Sequence, residues 1–393
     1  MSDEYLKQKR QKLQNERPLD IQYWYPLVSE LTFKTWWFSI SLEEANAITK
    51  YYKCFSLNST LEWNQQDKDS LQSFKNKIDA LIVQAKQEVG KKEENEDFSF
   101  FCRLGSRSPK DAVLEGSSSL QRLKVGMNCE FERLNEGMKE SIEQMENPVS
   151  IIVTKEDYMA FKRAGMKAME MRTSDEVLDL FLNSERVYTD LLLELMFPDL
   201  FEAKFILREW CSKLEYEMEF RGFIFNNKFN CVTQYDNQAF YPIVAENKKL
   251  IEDSLRNYYE MKALPYLTEK KKHSELSQQF DNVVIDFGIL DLHSSPPEIV
   301  IIELNPFERT TGASLFSWHD DLKVIQGESE FEFRAFEKDP FVGYNLEEVI
   351  IPDVYQFILD QKKEFLNERM KQKKERKPST STSTSKTKDC LIM

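Results

Sequence analysis

Residues 282–307 read NVVIDFGILDLHSSPPEIVIIELNPF, and the fold is decided here. Two β-branched apolar runs flank a polar break of Ser and Pro, the pattern of a β-hairpin. With the turn centred on Ser294 and Ser295, antiparallel pairing sets Asp286 opposite Glu303. Side chains alternate across a strand, so Asn305, two residues beyond Glu303, shares their face. Both runs are apolar at either parity, as in strands covered on both sides, and a carboxylate there needs a cation or a metal beside it. The alternative is an exposed hairpin whose acids face water. Two carboxylates and an amide oxygen suit Mg²⁺, which keeps several waters and is shared with nucleotide phosphates.

Upstream, the helical pattern ENKKLIEDSLRNYYEMKAL (246–264) follows a second pair of strands, EMEFRGFIFNN (217–227) and FNCVTQYD (229–236), joined by the turn signal Asn226-Asn227. SDEVLDLFLNS (174–184) reads as a helix. FSFFCRLGSRSPKDA (98–112) reads as a strand that ends at Gly105 and Pro109. Between 112 and 172 the signals are weak; SIIVTK (150–155) has strand composition, and no motif there carries chemistry. Near the start, IQYWYPLVSELTFKTWWFSIS (21–41) has the aromatic and β-branched density of strand and buried turn. Ser41 then caps a helix, and a second helix places Leu71, Phe74, Ile78, Leu81 and Ile82 on one face before Gly90 closes it. Helices and antiparallel hairpins in runs give an α+β class.

Composition narrows the function. Lys and Arg number 53 against 67 Asp and Glu, a formal charge of −14, which disfavours a nucleic-acid partner. The acidity serves either solubility or a basic protein surface. Six cysteines (Cys54, Cys102, Cys129, Cys211, Cys231, Cys390) form no CxxC pair, which suggests neither a zinc knuckle nor a disulfide framework and fits a reducing, cytoplasmic compartment. With His273, His293 and His319 the only histidines, and no GxSxG elbow, a triad hydrolase has little to build on. The polar N-terminus lacks the apolar core of a secretory signal, and no apolar run approaches the roughly 20 residues of a membrane-spanning helix. Arg103, Lys110, Arg208 and Arg221 offer cations at strand ends for a triphosphate, although each alone also reads as a snorkelling surface side chain. No Walker or Rossmann glycine motif is present, so a nucleotide would be held by side chains and a flexible cation-bearing loop.

Taken in order, YWYP, TFKTWW, SPKDA, LREW, EMEFRGFIFNN, VTQYD and IELNPFERTTGASLFSW resemble the cell division cycle protein 123 family over about residues 20 to 360. The resemblance implies an ATP-grasp-like fold of two lobes, with antiparallel sheets enclosing a nucleotide cleft that binds ATP with Mg²⁺. It also implies a role in assembling the heterotrimeric translation initiation factor 2 through its γ subunit. By position, it puts Arg103, Lys110, Asp111, Arg208, Trp210, Arg221, Asp236, Asp286, Glu303 and Asn305 at the ATP site, the last three also as metal ligands. Gly105-Ser106-Arg107 departs from the family's Asn-Trp-Ser, removing an aromatic expected near the nucleotide. The stretch from about 112 to 165 reads as an insertion.

The expected organisation is a charged extension (1–18), an N-terminal lobe (19–195), a C-terminal lobe with the metal-binding hairpin (196–362), and a basic, Ser/Thr-rich tail (363–393) whose low-complexity stretch PSTSTSTSKTKDCLIM (378–393) is expected to be disordered. That tail ends Cys390-Leu391-Ile392-Met393, a prenylation pattern behind basic residues, which implies reversible membrane attachment. Two other readings stand beside the assembly chaperone: an ATP-grasp ligase joining a carboxylate to an amine, and a nucleotide-free scaffold.

Overall fold

The computed structural model describes residues 3–90, 98–136, 151–272, 277–340 and 346–376; His273, the 378–393 tail and Cys390 lie outside these. Its elements begin with α1 (Asp3–Glu16), α2 (Ile21–Val28), β1 (Thr35–Ser39), α3 (Leu42–Phe55), α4 (Gln65–Val89) and β2 (Phe100–Leu104). They continue with α5 (Ser117–Glu136), α6 (Lys155–Lys167), α7 (Ser174–Leu182), α8 (Glu185–Leu195) and β3 (Lys204–Glu209). The remaining strands are β4 (Glu219–Phe225), β5 (Lys228–Gln234), β6 (Val283–Asp291), β7 (Glu298–Pro306) and β8 (Glu332–Arg334), with helices at Lys248–Tyr258 and Pro352–Arg376 among those between and after them.

The chain divides into two units. One, residues 1–126 with 161–343, holds both sheets: a three-stranded sheet ordered β1-β3-β2 and a five-stranded sheet ordered β7-β6-β4-β5-β8. All pairings are antiparallel except β5 with β8, so the class is α+β. The other, residues 127–160 with 344–393, is helical where described. In it Phe131 packs on Phe365 at 5.4 Å, and Lys362 bonds Asp157 at 2.5 Å.

Local chemistry explains most of these elements. Ser41 accepts from the Glu44 amide while Glu44 returns a bond to the Ser41 amide, a capping box that starts α3. Phe74, Ile78, Leu81 and Ile82 are buried along α4, and Gly90 ends that helix in the left-handed region at φ 82°. Asn226 and Asn227 both take positive φ (54° and 60°), as a tight turn between β4 and β5 requires. The β6–β7 hairpin pairs Asp286 with Glu303. Two register irregularities, after Asp286 and after Ile289, cancel one another, so the pairing set by the turn centre survives along the strands.

Three stretches differ from the sequence reading. Residues 21–28 are helix rather than strand: Ile21, Trp24, Leu27 and Val28 are buried at helical spacing, and that periodicity overrides aromatic β-propensity. SIIVTK forms no strand among its described residues. Thr154 instead caps α6, its hydroxyl accepting from the Asp157 amide at 3.3 Å while the Asp157 carboxylate accepts from the Thr154 amide at 2.7 Å. The segment without motif around 112–172 holds α5 and α6. The first turn of α5 has its amides satisfied from outside, since Asp179 on α7 accepts from Ser117, Ser118 and Ser119 at 2.9–3.0 Å.

The IELNPF…LFSW block that carries much of the resemblance is half chemistry and half packing. Phe316 and Trp318 stack edge-on against Phe223 at 5.7 and 5.6 Å, and Trp318 donates to the Thr311 carbonyl at 2.6 Å. These aromatics cover part of the same face of the larger sheet that carries Arg221, two residues before Phe223 on β4. Its other face is apolar, with Phe287 packed edge-on against Tyr258.

Candidate functional site

Pairing across β5, β4, β6 and β7 lines up Thr233, Arg221, Asp286 and Glu303 in one row. Arg221 donates from Nε and Nη2 to the two oxygens of Asp286, both at 2.8 Å, and from Nη1 to the Gly312 carbonyl at 2.6 Å. Asp286 is 2% exposed. Burial works against charge on Arg221, but Asp286 overrides it and holds the guanidinium more firmly protonated than usual. Asn305 completes the cluster by donating to Asp286 Oδ2 at 3.0 Å.

Glu303 finds its counter-charge in the other sheet: Arg103 Nη1 on β2 lies 2.5 Å from Glu303 Oε1. Burial pushes the Glu303 carboxyl up, yet Arg103, with Arg221 and Lys110 behind it, outweighs burial and leaves it below the usual range. Arg103 is fixed by its donations to the Leu104 and Ser106 carbonyls at 3.0 and 2.9 Å. The row therefore reads guanidinium, carboxylate, carboxylate, guanidinium.

Arg208 on β3 is 3% exposed and has no carboxylate partner among the described residues; it donates to the Ile302 carbonyl at 2.8 Å and to Thr32 Oγ1 at 2.7 Å. Trp24 and Phe33 flank its guanidinium at 5.7 and 5.4 Å. Burial, then the charge of Arg103, lowers its pKa to about 9. Its Nε is buried with no hydrogen-bond partner among the described residues.

Two cavities adjoin this row. A polar one of about 430 Å³ is lined by Arg221, Glu303 and Asn305 together with Arg17, Arg107 and Lys204. A more apolar one of about 460 Å³ is lined by Phe33, Phe101, Met166, Met169, Trp210 and Leu214 around Arg103 and Arg208. Lys110, Tyr235 and Glu303 line both. Lys110 donates to the Tyr235 hydroxyl at 3.2 Å, and Arg221 lies 4.8 Å from the centroid of the same ring.

Most residues singled out in the sequence meet here. Arg103, Lys110, Arg208, Trp210, Arg221, Glu303 and Asn305 line a cavity, with Asp286 directly behind Arg221. Asp111 also lines the apolar cavity, but its oxygens accept from Ser184 Oγ at 2.7 Å and the Arg186 amide at 3.1 Å, so it caps the start of α8. Asp236 lines neither cavity; it accepts from Tyr241 at 2.7 Å and pairs with Lys162 at 3.8 Å. At the departure from the family motif, Arg107 pairs with Asp190 of α8, and Gly105 sits so close to Gln22 that an added Cβ would lie 2.4 Å from its Oε1.

Residues missed in the sequence are Glu219, Tyr235 and Lys162, all cavity-lining. Burial, then Asp286, raises the Glu219 carboxyl to about 7, with Lys110 opposing and Glu303 adding to the rise. The EMEFR motif offered a signal: Glu219 lies two residues before Arg221 on β4 and so faces the same way. Among the described residues no three His, Cys, Asp or Glu side chains converge on a metal position, so a cation here would draw on Glu303, the Asn305 amide oxygen and solvent.

The D123 family profile matches residues 24–352, more than half of the chain. A Candida albicans protein named "Translation initiation factor eIF2 assembly protein" is 23% identical over 172 residues, 44% of this chain and 45% of the relative. Its namesake from Xenopus laevis is 24% identical over 174 residues, 42% and 47% of the two chains. The chain thus spans about half the length of these curated relatives. Among solved structures, Cdc123 from Schizosaccharomyces pombe aligns with a TM-score of 0.47 at 18% identity, covering 81% of this chain and 96% of that one.

Proposed function

The chain belongs to the D123 family, and we propose that it is an ATP- and Mg²⁺-binding assembly chaperone for translation initiation factor 2, engaging the γ subunit through an ATP-grasp-like body. The names of the Candida and Xenopus relatives support the assembly role. The observation that carries the nucleotide reading is the convergence of Arg103, Lys110 and Arg221 on Glu303 and Asn305 where an apolar and a polar cavity adjoin. An apolar slot beside a cationic junction suits a base joined to phosphates.

The residues present fit such a ligand. Arg208 Nε is a buried donor that a ligand oxygen would satisfy. Glu303 and Asn305 offer hard oxygen donors, whereas both oxygens of Asp286 are engaged by Arg221, so in this conformation Asp286 holds the arginine that faces the cavity. Bound Mg²⁺ would supply charge neutralisation and orientation of the phosphates. Arg103 would turn from Glu303 toward phosphate oxygens, Arg221 would keep its bonds to Asp286 and lend its positive charge at the cavity wall, and Lys110 would act as a point charge between the two cavities.

Capture of purified translation initiation factor 2 γ subunit on the immobilised chain, with and without MgATP, tests the assembly role. Retention that strengthens with MgATP is expected. Absence of capture in both conditions would remove the chaperone assignment.

A further inference from the structure

We propose that Gly165 of α6 sets the base specificity of the nucleotide site: the room left by its missing side chain admits the two-ring base of a purine nucleotide. The inference rests on the nucleotide reading above. Phe161, Gly165, Met166 and Met169 line the apolar cavity from α6 and the turn that follows it, while Ala164 and Ala168 beside them are buried. This stretch is anchored away from the cavity. Arg122 Nε donates to the Ala168 carbonyl at 2.9 Å, and a Cβ at Gly126 of α5 would lie 3.1 Å from the Cβ of Ala164. Just beyond, Met171 and Phe100 of β2 exchange backbone bonds, both at 2.9 Å. Arg163 clamps Glu217 at 3.1 and 2.8 Å, tying α6 to the approach to β4. The wall is therefore held in place before any ligand arrives.

Glycine weakens a helix, and a protein keeps one there for a left-handed turn or a close approach. Gly90 and Gly327 have the first reason, at φ 82° and 74°. Gly126, Gly222 and Gly288 have the second, since a Cβ would come to 3.1, 2.6 and 2.8 Å of a neighbour. Gly165 has neither: its backbone is not left-handed, and a Cβ there would meet nothing within 4 Å. Its missing side chain serves the cavity rather than the packing. Trp210 on the same cavity has no ring partner and no acceptor for its indole N–H among the described residues, whereas Trp24, Trp36, Trp37, Trp63 and Trp318 each have a ring or a guanidinium beside them. An unpaired indole and two adaptable thioethers suit a flat, polarisable ring. The space at Gly165 is what a second fused ring needs and a single ring does not.

Calorimetric titration of MgATP, MgCTP and magnesium tripolyphosphate into the wild type and Gly165→Leu tests this. Leucine is the better helix former and its first carbon meets no clash, so the variant should fold, and its binding of tripolyphosphate reports that the cationic half of the site is intact. The wild type should bind MgATP at least about tenfold more tightly than MgCTP. Gly165→Leu should lose about tenfold for MgATP while MgCTP and tripolyphosphate stay within about twofold. A variant that binds MgATP like the wild type, or that loses all three ligands equally, overturns the Gly165 assignment alone. So does a wild type that binds MgATP and MgCTP alike. A wild type that binds none of the three overturns the nucleotide reading and this inference together.

Discussion

In the five-stranded sheet, Arg221, Asp286 and Glu303 are neighbours by register, and two of the three neutralise each other within the sheet. In the three-stranded sheet, Arg103 and Arg208 lie on adjacent strands two positions apart along β3, since Arg103 pairs with Ile206, and their like charges oppose one another. Their compensation comes from the other sheet, through Glu303 for Arg103 and the Ile302 carbonyl for Arg208. The larger sheet is thus electrostatically closed around Asp286, while the smaller one presents cations that depend on tertiary packing. Closed charge belongs to the fold; dependent charge is what a ligand can recruit.

The sharpest way to break this contrast is to delete one arginine from each sheet. Arg221→Met leaves Asp286 buried without its partner and should cost about 3–5 kcal/mol in urea unfolding. Arg103→Met leaves Glu303, whose side chain is 23% exposed, near Arg221 and Lys110, and should cost about 1 kcal/mol. Equal losses would mean that the two arginines hold the fold alike.

A smaller effect comes from Glu219. Its carboxyl rises from the ordinary 4.5 to about 7, so the folded chain holds this proton more tightly than the unfolded one. The stability it contributes is full below pH 4.5 and lost as pH rises through about 7. Glu219→Gln should remove that loss, making the variant gain on the wild type by on the order of 1–2 kcal/mol between pH 4.5 and 7.5. Denaturant unfolding at both pH values checks it, and parallel pH profiles would assign the titration to another group, such as Asp20, which burial also raises to about 7.

What could be read in the sequence was whatever is local or periodic. The Asp286–Glu303 pairing follows from a turn centre and strand alternation, and it holds because the two irregularities in the hairpin compensate. Ser41 and Gly90 act through bonds within a few residues. Residues 21–28 misled because composition and periodicity disagree there, and burial of one helical face wins. Lys162, Glu219 and Tyr235 were invisible as site residues because each earns its place through packing of segments distant in sequence: Lys162 lies 74 positions from Asp236. Lys110 likewise meets Tyr235 across 125 positions. Asp111 looked like part of a cation-acid motif, yet its bonds are those of a helix cap.

The most direct test of the central claim is calorimetric titration of ATP into the wild type with Mg²⁺ and again with EDTA, repeated on Glu303→Gln. The account predicts binding that weakens at least about tenfold without the metal, and a variant in which that difference largely disappears. A well-folded wild type that binds no MgATP, or binds ATP equally with and without Mg²⁺, would contradict it.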